Sequence, residues 1–201
     1  MLGNANAMLG LRSVPGNAPR WCFPELSGRL VELAGWRSGA VFSSALELVV
    51  DAQRSGETVV WVSPRSRTFF PPDAEGAGVD LAALPVVRLA LPREIPCAAD
   101  LLARSGAFGL IVLDVASSSI SLGVLSRLAG LARAHEAAIV ILTEKAPDRP
   151  SLGSVVSFRA DTSFVRRADG SFAHELAVTR DRVRAVGWHQ VETRRGPPGL
   201  S

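Results

Sequence analysis

Short apolar runs, each too brief for a helix, recur along this chain with amphipathic stretches between them, and that rhythm limits the folds open to it. The runs at 58–62 and 138–143 are unbroken and rich in Val, Ile and Thr. Strands of that kind suit a parallel sheet covered on both faces. Shorter runs at 30–33, 86–89 and 109–114 share the pattern. Between them, Leu46, Val49, Val50 and Gln53 fall at helical spacing over 43–54, with Gly56 where a C-terminal cap belongs. A helix is expected over 98–105, closed by Gly106, and another where Leu122, Leu125, Leu128, Leu131 and Ala132 form a stripe flanked by Arg127 and Arg133. Residues 69–78 read as loop and 79–84 as a short helix or turn. The rhythm changes after 155, where 155–166 and 172–180 alternate as antiparallel strands around the Asp169-Gly170 turn, and 183–191 can add a third. The order predicts a mostly parallel α/β sheet flanked by helices, with an antiparallel C-terminal extension.

Composition bounds the function. With 201 residues, 47% hydrophobic and 20% charged, the chain suits one domain with a substantial core. No apolar run reaches membrane-spanning length and no secretory leader is evident, so a cytoplasmic protein with no membrane partner is expected. Cys22 and Cys97 lack metal-ligand spacing. Residues 1–20 read as a flexible arm, 21–191 as the core and 192–201 as a flexible tail. Trp21, Phe23 and Leu26 can dock on the core or on a neighbouring subunit.

The segment from Gly35 through Trp36, Arg37, Ser38, Gly39, Ala40 and Val41 to Phe42 lies between a strand and a helix, where a phosphate-binding loop would sit. Such a loop needs a lysine for phosphate and a hydroxyl for Mg²⁺. Starting at Gly35 puts Val41 and Phe42 at those places, and starting one residue earlier puts Ala40 at the lysine. The only lysine in the chain is Lys145. Gly109 to Asp114 has the form of a metal-ordering strand, four apolar residues ending in a carboxylate, but Asp114 can equally cap a turn. His135, His174 and His189 have no cysteine or carboxylate at ligand spacing, so no metal site, no cofactor and no catalytic constellation are expected. Arg180, Arg182 and Arg184 are two apart and would share one face of an extended segment, with Arg194 and Arg195 following. That stripe can bind a phosphate backbone, meet an acidic partner, or be a solvated face.

Over roughly 26–190 the chain resembles the core of the RecA family. The similarity lies in 28–35 leading into the loop, 52–58 at the end of the following helix, 78–84, and above all 102–114. The resemblance implies a RecA-like core, and its departures imply a degenerate nucleotide site without ATPase activity. The family's catalytic Glu falls at or near Arg65, its nucleotide-reporting Gln near Glu144, and its two DNA-binding loops between 115 and 121 and between 145 and 153, both short here. A RecA-like core without nucleotide chemistry is similar to ImuA-type proteins, accessory factors in translesion synthesis, induced mutagenesis and the SOS response to DNA damage. The partners implied are ImuB, an inactive Y-family polymerase homologue, with RecA and an error-prone replicative-type polymerase as further contacts. Weak DNA binding and homo-oligomerisation stay open. The alternatives are a SulA-like cell-division inhibitor acting on FtsZ and a DNA-binding RecA paralogue.

Overall fold

The computed structural model describes residues 20–36, 39–67, 69–116, 119–184 and 186–194. A short helix α1 (Phe23–Leu26) leads into β1 (Leu30–Gly35), α2 (Ala40–Arg54) and β2 (Val59–Pro64). Then come α3 (Pro71–Gly76), β3 (Val86–Leu89), α4 (Ile95–Ser105), β4 (Leu110–Ala116), α5 (Leu122–Ala134) and β5 (Ala138–Glu144). The chain closes with β6 (Phe158–Arg166), β7 (Phe172–Asp181) and β8 (His189–Arg194). The eight strands form one sheet in the order β3-β2-β4-β5-β1-β6-β7-β8.

The expected α/β architecture is present, a RecA-like core with a largely parallel central sheet. Successive side chains of each strand enter opposite cores, as the period of two requires. Val31, Leu33, Trp61, Val112, Val140 and Leu142 face α2, whereas Leu30, Val62, Leu113, Ile139 and Ile141 face α4 and α5. Both faces are covered, which is why these strands read as unbroken apolar runs.

Several boundaries differ from expectation. The segment 69–78 holds the helix α3, begun by Pro71 and Pro72, whose fixed φ suits a first helical turn. β6 is not purely antiparallel: it runs parallel to β1 and antiparallel to β7. Only the β6–β7 and β7–β8 pairs form the antiparallel extension. β8 starts at His189 and runs to Arg194, so residues 192–194, expected in the tail, pair with β7. The arm lies outside the described residues except for Arg20, and the tail beyond Arg194 lies outside them altogether.

Two glycines are demanded by position. A Cβ on Gly35 would lie 3.0 Å from the Val41 Cβ, so the turn from β1 packs directly onto the first turn of α2. Gly106 ends α4 in the left-handed region at φ 63°, and a Cβ there would lie 2.8 Å from Nδ1 of His135.

Trp21, Phe23 and Leu26 are buried in the chain's own core. Trp21 donates from Nε1 to the Ser44 carbonyl at 2.8 Å, and its ring lies 5.9 Å from that of Phe158. Of the two dockings open in the sequence, the structure shows these side chains packed in the chain's own core. Among the described residues, no helix is long and apolar enough to cross a membrane.

Candidate functional site

The site expected from the sequence lies at the C-terminal ends of β1, β2, β4 and β5, beneath the start of α2. Arg37 and Ser38 of the loop lie outside the described residues. Gly39 precedes the helix with helical φ and ψ and makes no side-chain cap. Val41 is buried, and Phe42 stacks on Trp61 with ring centroids 6.2 Å apart and planes 18° from parallel. Trp36 is half-exposed at the end of β1. The residues that stand at the lysine and hydroxyl positions are therefore packing groups.

Asp114 is fully buried on β4. Both of its carboxylate oxygens accept from Nε of Arg67 at 3.3 Å, and Ser63 Oγ lies 3.4 Å from one of them. The same guanidinium donates from Nη1 to Glu144 at 3.3 Å, and its carbon lies 5.3 Å from the centroid of the Phe42 ring. Arg67 thus bridges carboxylates near the C-terminal ends of β4 and β5 while lying over an aromatic face, a favourable place for a planar cation. Arg65, at or near which the resemblance puts a catalytic Glu, is exposed; the cation that enters the site is Arg67. The signal was present in the sequence as a second arginine in the same loop, but nothing there distinguished the two.

A second constellation holds the loop after β5. Glu32, in the middle of β1, is fully buried. It pairs with Lys145 Nζ at 2.6 Å and accepts from Ser151 Oγ at 2.6 Å, from the Leu152 amide at 2.9 Å and from Thr143 Oγ1 at 3.4 Å. Burial alone would push this carboxyl up, but Lys145, Ser151 and the Leu152 amide outweigh it and hold Glu32 below its ordinary value. The chain's single lysine is therefore paired with an interior strand of the sheet. The segment where the family's second DNA-binding loop would lie is fastened to β1 at three points.

A third group lies along the outer flank of α2. His174 on β7 is 4% exposed. Its Nε2 lies 2.8 Å from Ser44 Oγ and 3.2 Å from Thr162 Oγ1, and its Nδ1 lies 3.4 Å from Glu47 Oε1. Burial holds the imidazole below its ordinary pKa. Glu192, opposite His174 in the β7–β8 register, joins the group. No sequence pattern announced this cluster, because its members come from four elements, α2 and the strands β6, β7 and β8. Beside it runs a groove of about 770 Å³ lined by Phe42, Leu46, Trp61, Phe69, Phe70 and Arg194.

The arginine stripe is broken up. β7 ends at Asp181 and the chain bends, so Arg182 and Arg184 do not continue the alternation that begins at Arg180. Arg180 donates to the Gly153 carbonyl at 2.9 Å, Arg182 to the Ser154 carbonyl, and Arg184 to Glu25 at 2.9 Å. Arg194 reaches Glu47 and Glu192. Arg195 lies outside the described residues. Beneath the bend, Arg29 and Asp181 form a buried pair at 2.6 Å, with Arg29 also 5.0 Å from the Phe158 ring centroid. The Arg29 guanidinium and the amides of Val183 and Arg184 outweigh burial and hold Asp181 below its ordinary range.

No protein-family model matches the chain. Individual relatives do. Protein RecA of Fusobacterium nucleatum is 31% identical over 111 residues, which is 55% of this chain and 26% of that protein. Protein RecA of Nocardioides sp. is 38% identical over 87 residues, 43% of this chain and 25% of that protein. Protein RecA of Corynebacterium jeikeium is 35% identical over 109 residues, 54% of this chain and 26% of that protein. The match spans about a quarter of the length of these relatives. Together with the sheet, it gives the chain a RecA-family relationship at moderate identity over about half of its length.

Proposed function

We propose that the chain is a non-catalytic RecA-like accessory protein of DNA damage tolerance. It acts in translesion synthesis by binding other proteins, foremost an inactive Y-family polymerase homologue of the ImuB type, with RecA and an error-prone polymerase as further partners. The observation that carries the non-catalytic half is the placement of Arg67. In a nucleotide site the carboxylate ending this strand orders Mg²⁺ and its water. Here a guanidinium belonging to the chain sits on both oxygens of Asp114 and reaches Glu144. Val41 and Phe42 supply no charge or hydroxyl for phosphate. The tethering of 145–152 to Glu32 argues against a loop that reorders on DNA. The relationship to RecA supports the damage-response setting.

Two measurements test the reading. Calorimetry with ATP and Mg²⁺ is expected to give no binding heat, and micromolar binding would overturn the non-catalytic half. Affinity capture from DNA-damaged cells, read by mass spectrometry, is expected to recover a Y-family polymerase homologue or RecA. Recovery of a tubulin-like division protein in their place would overturn the assignment to translesion synthesis.

A further inference from the structure

We propose that Glu47, His174 and Glu192 form a binding site for a divalent transition metal, zinc by its donor set, that clamps the C-terminal hairpin onto α2. The three side chains come from α2, β7 and β8, and their ligand atoms all lie within 4.8 Å of one another. One nitrogen and two carboxylates suit a zinc ion with a water in the fourth place. The 3.4 Å between His174 Nδ1 and Glu47 Oε1 is long for a hydrogen bond. It is about the edge of a tetrahedron whose metal–ligand bonds are roughly 2.0–2.1 Å.

The surroundings are those of a held ligand. Nε2 of His174 meets the hydroxyls of Ser44 and Thr162, which lie 3.1 Å from each other. Outer hydrogen bonds of this kind fix the orientation of a ligating imidazole and present its other nitrogen. The Phe164 ring, 5.0 Å from the imidazole centroid, packs against it. Glu192 is held by Gln190 Nε2 at 2.8 Å and leaves about half of its side chain in solvent, where a metal can enter with its water.

Arg194 is the competitor. Its Nη2 contacts Glu47 and stands 3.5 Å from Glu192, so the charge of the free site is partly neutralised internally. Its Nε is buried without a hydrogen-bond partner, and its side chain is 37% exposed. An ion that bonds directly to both carboxylates and the imidazole can displace it outward.

The test uses the full chain carrying Cys97→Ser, which removes an exposed thiol, with any affinity tag cleaved and adventitious metal stripped by chelator. Zn²⁺ is titrated by calorimetry and Co²⁺ by visible absorption. One ion per chain is expected, with the intense visible bands of four-coordinate cobalt. Glu192→Gln, at a solvent-facing position, is expected to weaken binding by about tenfold or more, the scale on which even outer-sphere losses act. Arg194→Gln is expected to tighten it. Circular dichroism establishes that both variants fold. Absence of saturable binding by the parent chain overturns the proposal, as does a Glu192→Gln variant that binds as tightly as the parent.

Discussion

Replacing Glu32 by Gln isolates the charge of the buried pair while keeping its shape. The substituted amide still accepts from Ser151 and the Leu152 amide, but Lys145 loses its counter-ion. Breaking a buried pair by neutralising one partner costs roughly 3–5 kcal/mol, because the other charge stays desolvated. Lys145 keeps 18% of its side chain exposed and a hydrogen bond to the Pro150 carbonyl at 3.0 Å, which favours the lower end, about 3 kcal/mol. For a chain of this size that is a fall in Tm of about 6–12 °C. Adding Lys145→Met removes the stranded ammonium, and the double variant is expected within about 1 kcal/mol of the parent, since replacing both members of a buried pair is often nearly neutral. Urea unfolding of the parent, both single variants and the double gives the coupling directly. The reasoning fails if Glu32→Gln lies within 1 kcal/mol of the parent, or if the double variant is as unstable as the two singles added together.

Three further outcomes follow from the same geometry. Arg67→Ala leaves the buried Asp114 without its guanidinium and is expected to cost about 2 kcal/mol, with most of that recovered by adding Asp114→Asn; urea midpoints decide it. Glu32 and Asp181 are held below their ordinary range, so the unfolded chain takes up protons first and the stability they supply, full above about pH 5, drains as the pH falls below it. His174, also held low, adds an earlier decline beginning near pH 6.5; thermal melts from pH 8 to 4 should show both steps, and a stability that rises on acidification would contradict them. Gly106→Ala is expected to lose about 1–2 kcal/mol from the left-handed backbone alone. Adding His135→Ala removes the 2.8 Å clash but not that backbone cost, so full recovery in the double variant would refute the conformational account.

The strands were legible because burial on both faces forces an unbroken apolar run, as at 58–62 and 138–143. The helices were legible from their stripes, with Leu125, Leu128 and Ala132 all buried as their spacing implies. The helix α3 was missed because its tandem prolines read as loop punctuation, although proline is well tolerated in a first helical turn. The antiparallel pairing of β6 with β7 was legible from the Asp169-Gly170 turn, whereas the parallel pairing of β6 with β1 was not, because alternation shows a strand but not its second neighbour. At the candidate site, the apolar character of Ala40, Val41 and Phe42 could be read directly. The role of Arg67 could not, since its carboxylates come from β4 and β5.

Local preference and hydrophobic period, properties of a few adjacent residues, thus determined the α/β class and the positions of most elements. The tertiary structure decided the long-range pairings of ionisable groups. Glu32 with Lys145, Arg67 with Asp114 and Glu144, Arg29 with Asp181, and His174 with Glu47 and Glu192 each join residues far apart in the chain or on different strands and helices. An isolated charge leaves no periodic trace in a sequence. Whether it becomes a solvated surface group or a buried partner depends on which strands become neighbours, and only the packed sheet settles that.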